Sequence, residues 1–306
     1  MKHLIICNKA SGNVAAKEAI EKEFLAAFEG LDYEVHFTTA PREAISFLKD
    51  YFAKNTKDTV RVYAVGGDGT VHEVVNGIAG VKNAELAIYA AGTGNDFVKV
   101  YGGKDKFLNF KKLIEGKAAP IDLSKISGPS LEEPWYSINV INIGFDAMVG
   151  AKGNENKLKG KKNPYGFTQA IVPAIFHGRF NKGVVTADGK PLNEKKFLLG
   201  SIAQGRCIGG EYWAAPKSDN TDGLIDVCVC KPMSLFRLLI QFFGVYHDGK
   251  HLDDPRFKKF MNYVRANNVK IEAPADIDVC VDGEMIRGKS FEVESCPKAI
   301  KLVIPE

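Results

Sequence analysis

The stretch Val65-Gly66-Gly67-Asp68-Gly69-Thr70-Val71-His72-Glu73 stands between a strand-like run, Thr59–Val65, and a helix-like run, Thr70–Ala79. Three glycines let backbone N–H groups come close to phosphate oxygens, and the helix that follows aims its positive end at them. Asp68 is the odd residue among them, because a carboxylate beside phosphate is repulsive unless a cation bridges the two. The stretch therefore implies a phosphate site served by Mg2+. Without a ligand, the same letters describe a tight Asp-Gly turn from strand to helix.

The flanks repeat this alternation. Strand-like runs at Lys2–Cys7, Tyr33–Thr38 and Glu85–Ala90 and helix-like runs at Val14–Glu29 and Arg42–Lys54 fill the first 122 residues with short connections. Such alternation implies a parallel sheet covered by helices, with ligands at the carboxyl ends of the strands. Functional loops are then expected after Cys7, Val65 and Ala91. The last of these loops is Gly92-Thr93-Gly94-Asn95-Asp96-Phe97, a second polar glycine loop opening at the same edge.

From residue 123 onward the pattern changes. Strand-like runs follow one another at Tyr136–Ile143, Gly183–Thr186, Lys196–Ile202, Leu224–Cys230, Val269–Ile271 and Phe291–Glu294. Helices are predicted only near Tyr165–His177 and Ser234–Tyr246, so this half reads as a mostly antiparallel β domain. Ile300–Ile304 could pair with either half. Residues 283–290, GEMIRGKS, match the P-loop pattern G-x-x-x-x-G-K-S. A P-loop must open into a helix, whereas Phe291-Glu292-Val293-Glu294 alternates with the period of a strand. The match is therefore read as a hairpin.

Composition excludes several classes. The chain has 306 residues, 45% hydrophobic and 25% charged, with a net charge of +4, which describes a globular chain without the basic stripe of a nucleic-acid binder. The apolar run from Leu235 to Phe243 contains Arg237 and Gln241 and falls short of the roughly 20 apolar residues a bilayer span needs. Six cysteines without a C-x-x-C fit reduced thiols of a cytosolic protein. His247 and His251 lack a clustered third ligand, which argues against a metal site there. Lys152–Lys162 holds five lysines and one glutamate; it is either a solvated loop or a contact for an anionic membrane.

Taken together, Asn8-Lys9-Ala10-Ser11-Gly12, Gly66-Gly67-Asp68-Gly69-Thr70, Gly92-Thr93-Gly94-Asn95-Asp96-Phe97, Asn142-Ile143-Gly144-Phe145-Asp146-Ala147, Gly209-Gly210 through Asp222-Gly223-Leu224-Ile225-Asp226, and Asp282-Gly283-Glu284 resemble the diacylglycerol-kinase catalytic domain family. That family includes bacterial soluble lipid kinases and sphingosine kinases, with NAD kinases more distant. Lys9 stands where the family usually has proline. The resemblance implies an NAD-kinase-like two-domain architecture: a Rossmann-like α/β nucleotide-binding domain over 1–122, to which 298–306 return, and an antiparallel β-sandwich over 123–297. The active site is expected in the cleft between them.

The resemblance also distributes roles. Asp68 becomes the Mg-nucleotide residue, with Gly66, Gly67, Gly69, Thr70, Val71 and His72 around the phosphates and Asn8, Thr39 and Thr93 lining the nucleotide. Glu284 becomes the general base. Asp219, Asp222 and the Leu224 carbonyl match a structural Mg2+ site toward which Asp122 contributes; on residues alone, SDNTDG is equally an acidic turn. The implied activity is transfer of the ATP γ-phosphate to a primary hydroxyl of a lipid such as diacylglycerol. The expected partners are ATP, the lipid alcohol and an anionic membrane met peripherally at the inner surface from the cytoplasm, with a homodimer admitted and nucleic acid not. An NAD kinase shares the GGDGT loop but lacks the carboxylate of Asp282-Gly283-Glu284; a non-catalytic nucleotide- or lipid-binding protein would not require both Asp68 and Glu284.

Overall fold

A computed structural model describes residues 1–8, 14–150 and 181–306, with 14–20 described by backbone alone. Lys9–Gly12 of the first loop, the Lys152–Lys162 run and the predicted helix Tyr165–His177 lie outside the described residues. The chain divides into two compact units, one of Met1–Leu123 with Pro297–Glu306 and one of Ser124–Cys296.

The first unit alternates as β1 (Lys2–Asn8), α1 (Val14–Ala27), β2 (Tyr33–Thr38), α2 (Glu43–Lys54), β3 (Val60–Val65), α3 (Asp68–Ile78), β4 (Ala84–Tyr89) and α4 (Phe110–Glu115). Its strands are parallel in the order β2-β1-β3-β4. Right-handed crossovers put α1 on one face of that order and α2 and α3 on the other, and α2 packs on α3 while α1 meets α4. All six residues of β3 are buried, including Arg61. Its guanidinium is satisfied by Glu85 at 2.8 Å and by the Leu113 and Ile114 carbonyls at 2.7 Å, so the charge also caps the end of α4.

The second unit is built from β5 (Lys117–Ser127, which enters it from the first unit), β6 (Trp135–Ser137), β7 (Val140–Gly144), β8 (Asn181–Lys182), β9 (Val184–Ala187), β10 (Lys190–Pro191), β11 (Lys196–Phe197), β12 (Leu199–Ala203), β13 (Ile225–Cys230), β14 (Met261–Ala266), β15 (Asn268–Val281) and β16 (Glu284–Ile304). The antiparallel order is β14-β13-β12-β7-β15-β16. β15 pairs with β9 through Val269–Glu272 and with β7 through Val279–Val281. The register shift falls between Glu272 and Ile277, around Pro274, which has no N–H to give a ladder. All of β13 is buried because both its faces are covered. Val227 and Val229 join one apolar cluster with Ile143 and Phe291, whereas Cys228 and Cys230 join another with Phe242 and Phe257.

Two predicted elements are corrected. α3 begins at Asp68 rather than Thr70, with Gly67 as its N-cap. The helix near Ser234–Tyr246 carries a π-helical stretch, Arg237–Phe242, before an α-helical turn at Phe243–His247. GEMIRGKS lies in the β15–β16 hairpin, with no helix after it.

Candidate active site

Parallel register sets the carboxyl ends of β1 to β4 side by side: Asn8 pairs with Thr38, Cys7 with Val65, and Val65 with Tyr89. The loops leaving that edge carry Asn8, Thr39, Gly66–Thr70 and Thr93, so the structure gathers these sequence-assigned residues along one border. Gly92 N donates to Gly66 O at 2.9 Å. A Cβ on Gly92 would come within 2.3 Å of Gly67 Cα, so the two glycine loops touch backbone to backbone. Gly69 and Thr93 are exposed beside them. The first-turn N–H groups of α3 have no acceptor within the helix and are suited to an anion.

Asp68 fastens the two loops together. Its Oδ2 accepts from Asn95 N at 2.9 Å and its Oδ1 from Asp96 N at 2.8 Å. Burial, and then the neighbouring Asp96 carboxylate, push the Asp68 carboxyl above its ordinary range against the pull of these donors. Asn95, at φ 52°, donates Nδ2 to Gly66 O at 3.1 Å, while its buried Oδ1 has no hydrogen-bond partner among the described residues. Val71 and His72 are buried at 4% and 3% exposure, and the His72 ring meets Asn76, so only their main chain is left for a ligand.

Two glutamates escaped the sequence reading. Glu43 Oε2 accepts from Thr39 N at 2.7 Å, Thr39 Oγ1 at 2.9 Å and Ala40 N at 3.1 Å, and the Thr39 donors hold its carboxyl down to about 2. Glu73 of α3 accepts from Arg42 N at 2.9 Å and Ala44 N at 3.2 Å, capping α2 from a second helix. Glu43 thus holds Thr39 while Glu73 holds the start of α2, and together they fix where the loop after β2 runs. Only the Thr39–Glu43 spacing left a local trace in the sequence.

In the second unit, Asp282 (φ 50°) and Gly283 (φ 99°) form the two-residue turn of the β15–β16 hairpin. The Asp282 carboxylate accepts from Ser137 Oγ at 2.6 Å and from the N–H groups of Ile138, Asn139 and Val140 at 3.0 to 3.1 Å. This anchoring role was not foreseen. It pins the hairpin tip, and the next side chain, Glu284, is exposed there. An exposed carboxylate on a fixed backbone is equipped to take a proton from a bound hydroxyl.

A family model described as the diacylglycerol kinase catalytic domain matches residues 2–126, and one described as the YegS C-terminal NAD kinase beta sandwich-like domain matches residues 139–304. The chain belongs to the diacylglycerol kinase catalytic-domain family. It is 28% identical over 309 residues to the diacylglycerol kinase of Bacillus subtilis, covering 99% of this chain and 96% of that one. It is 25% identical over 310 residues to a protein of Shewanella frigidimarina named "Probable lipid kinase YegS-like", with 99% and 93% covered. A crystal structure of a diacylglycerol kinase from Bacillus anthracis shares the fold, with a TM-score of 0.69 at 22% identity over 99% of this chain and 96% of the other.

Within this family member, the expected metal ligands stand as follows. Asp219 Oδ1 accepts from Thr221 N at 3.0 Å and from its hydroxyl at 2.7 Å. Asp222 Oδ1 accepts from Leu224 N at 3.0 Å, and its Oδ2 lies 3.2 Å from Arg265. The Leu224 carbonyl accepts from Gln204 Nε2 at 3.2 Å. Asp122, in the first unit, accepts from Lys298 N at 2.7 Å. Two carboxylates and a carbonyl within six residues are the hard oxygen donors Mg2+ prefers, so the 219–224 turn fits such an ion by donor chemistry. Arg265 would compete with such an ion for Asp222. Among the described residues no cluster of three or more His, Cys, Asp or Glu is assembled for a metal. His247 is exposed beside Asp248, while the His251 ring is buried against Tyr246, so the two do not form a pair of ligands.

Proposed function

We propose that this chain is an ATP-dependent lipid kinase that transfers the γ-phosphate to a primary hydroxyl of a lipid such as diacylglycerol. One observation carries the reading: the two glycine loops are fastened back to back at the N-terminus of α3 by Asp68, in a chain whose Asp282-pinned turn presents Glu284 as an exposed carboxylate. The glycine-loop N–H groups would hold the phosphates, and Asn8, Thr39 and Thr93 would line the nucleotide. Glu284 would take the proton from the lipid hydroxyl as its oxygen bonds to the γ-phosphorus. The bond from that phosphorus to the bridging oxygen breaks, and ADP leaves with the electron pair. Mg2+, when bound, supplies positive charge that offsets the phosphates, and Asp219, Asp222 and the Leu224 carbonyl would hold such an ion in the second unit.

A lipid substrate places the work at a membrane surface, reached peripherally from the cytoplasm; no described helix is long and apolar enough to cross one. The deciding assay offers the purified chain γ-labelled ATP with mixed micelles of diacylglycerol, a sphingoid base or phosphatidylglycerol. Label in the organic phase is the expected result and names the acceptor. Label appearing only in NADP would move the assignment to NAD kinase, and no transfer by a chain that still binds ATP would leave a nucleotide-binding protein.

A further inference from the structure

The segment joining β13 to β14 is attached by one side only. Leu238, Phe242 and Tyr246 are buried, seated against Phe145, Phe257 and Met261. On the other side Phe236, Leu239 and Ile240 are 67%, 43% and 70% exposed, and among the described residues of the second unit they are the exposed large hydrophobic side chains. Leu239 and Ile240 lie in the π-helical stretch Arg237–Phe242, with Phe236 as its N-cap, and such widened turns recur where a helix does something other than pack. Nothing in the fold requires an exposed Phe236 or Ile240, and exposed apolar groups gathered on one turn mark a contact.

Basic residues lie within this segment and at its two ends. The Arg237 guanidinium lies 4.8 Å and the Lys259 ammonium 5.3 Å from the centre of the Phe260 ring. Lys231 N donates to Phe260 O at 2.7 Å, and Lys258 is exposed beside Lys259. Among the described residues none of these four forms an ion pair, whereas Lys250 and Arg256, farther along, are neutralised by Asp248 and Asp254. Three apolar side chains cannot approach the roughly 1,000 Å² a specific protein interface needs. Aromatic and aliphatic tips with cations in the same segment do match the boundary between acyl chains and anionic headgroups.

We propose that Phe236, Leu239 and Ile240 insert into the interfacial layer of an anionic phospholipid bilayer, with Lys231, Arg237, Lys258 and Lys259 engaging its headgroups. The surface deepens the lipid-kinase reading and takes its purpose from it, since a water-soluble catalyst must meet an acceptor that stays in the bilayer. Long basic stems lie along apolar surface while their charges remain in the headgroup zone, so the two parts of the face act together.

The test uses the full chain without nucleotide and sedimenting vesicles, either of phosphatidylcholine or of equimolar phosphatidylcholine and phosphatidylglycerol. Wild type is expected on the anionic vesicles, released by high salt. The triple variant Phe236→Ser, Leu239→Gln, Ile240→Ser should bind about tenfold or more weakly, and Lys258→Ser with Lys259→Ser should weaken binding at low salt. Phe37→Ser, another exposed aromatic but in the first unit, should bind as wild type. Should the triple variant fail a circular dichroism melt, Ile240→Ser alone and the lysine pair decide. Equal vesicle binding by the triple variant and wild type overturns the proposal, as does a triple variant that only turns a dimer into a monomer. Phosphorylation of a water-soluble short-chain diacylglycerol separates the two readings: its absence in a wild type that binds vesicles sinks the kinase and leaves the docking face standing.

Discussion

Glu284 and Asp68 are both carboxylates in sequence-recognised motifs, yet their surroundings give them opposite work. Glu284 is exposed at a hairpin tip. Glu284→Gln is therefore expected to lower kcat by about 10²–10⁴ with nucleotide affinity unchanged, because the amide keeps the shape and cannot accept a proton. Lys289→Ala should cost little, and steady-state kinetics with nucleotide titration check both. Asp68 is a fastener, both oxygens taken by the N–H groups of Asn95 and Asp96. Asp68→Ala should abolish turnover and also cost about 1–3 kcal/mol of stability, whereas Asp68→Asn, keeping one acceptor, should lose less; urea titration ranks them. The sequence exposed Asp68 because a charged residue amid glycines is conspicuous. It hid Glu73, since that cap lies 29 to 31 residues from its donors, and no local pattern marks a contact made only by two helices packing.

The β15–β16 hairpin shows the same contrast among elements. A P-loop match dissolves once the strand period of Phe291–Glu294 is read, and the structure continues as β16 to Ile304. What the period could not show is the four-donor anchorage of Asp282 from residues 142 to 145 positions away. Asp282→Ala strands those donors and is expected to cost about 3 kcal/mol or more, with turnover lost in step because the Glu284 backbone is released; a parallel loss in both assays is the check. Short strands such as β8 and β10 were illegible for a related reason: two residues carry no period. In the turn that precedes β13, Arg265 pairs with Asp222 and would compete with any cation bound there. Mg2+ should raise the melting temperature of Arg265→Gln more than that of wild type, and of Asp222→Ala not at all; equal shifts in all three would remove the turn as a metal site.

For the molecule as a whole, pH reaches stability through a part-buried acid. Tyr246 OH donates to Asp146 Oδ2 at 2.6 Å, and burial raises the Asp146 carboxyl from 3.8 to about 6. Between these values the folded chain holds a proton the unfolded chain has released. The contribution of this group is therefore full below about pH 4 and is lost as pH rises through about 6, a swing of up to about 3 kcal/mol. Urea midpoints at about pH 3.5 and about pH 7.5, below and above that window, should differ less for Asp146→Asn than for wild type; the same difference in both would clear Asp146. The parallel sheet was legible because its strands alternate with helices at short range. Its remaining neighbour is β16, whose Leu302 pairs with Leu86 of β4. Gly80 N donates to Ala299 O at 3.0 Å in the same seam. On the ribosome, β1 to β4 emerge some two hundred residues before that partner strand, and for all that time β4 presents an open parallel edge to other nascent chains. Synthesis of this protein thus has a long interval in which the β4 edge is bare, and it closes only once residues 299–304 can pair with β4.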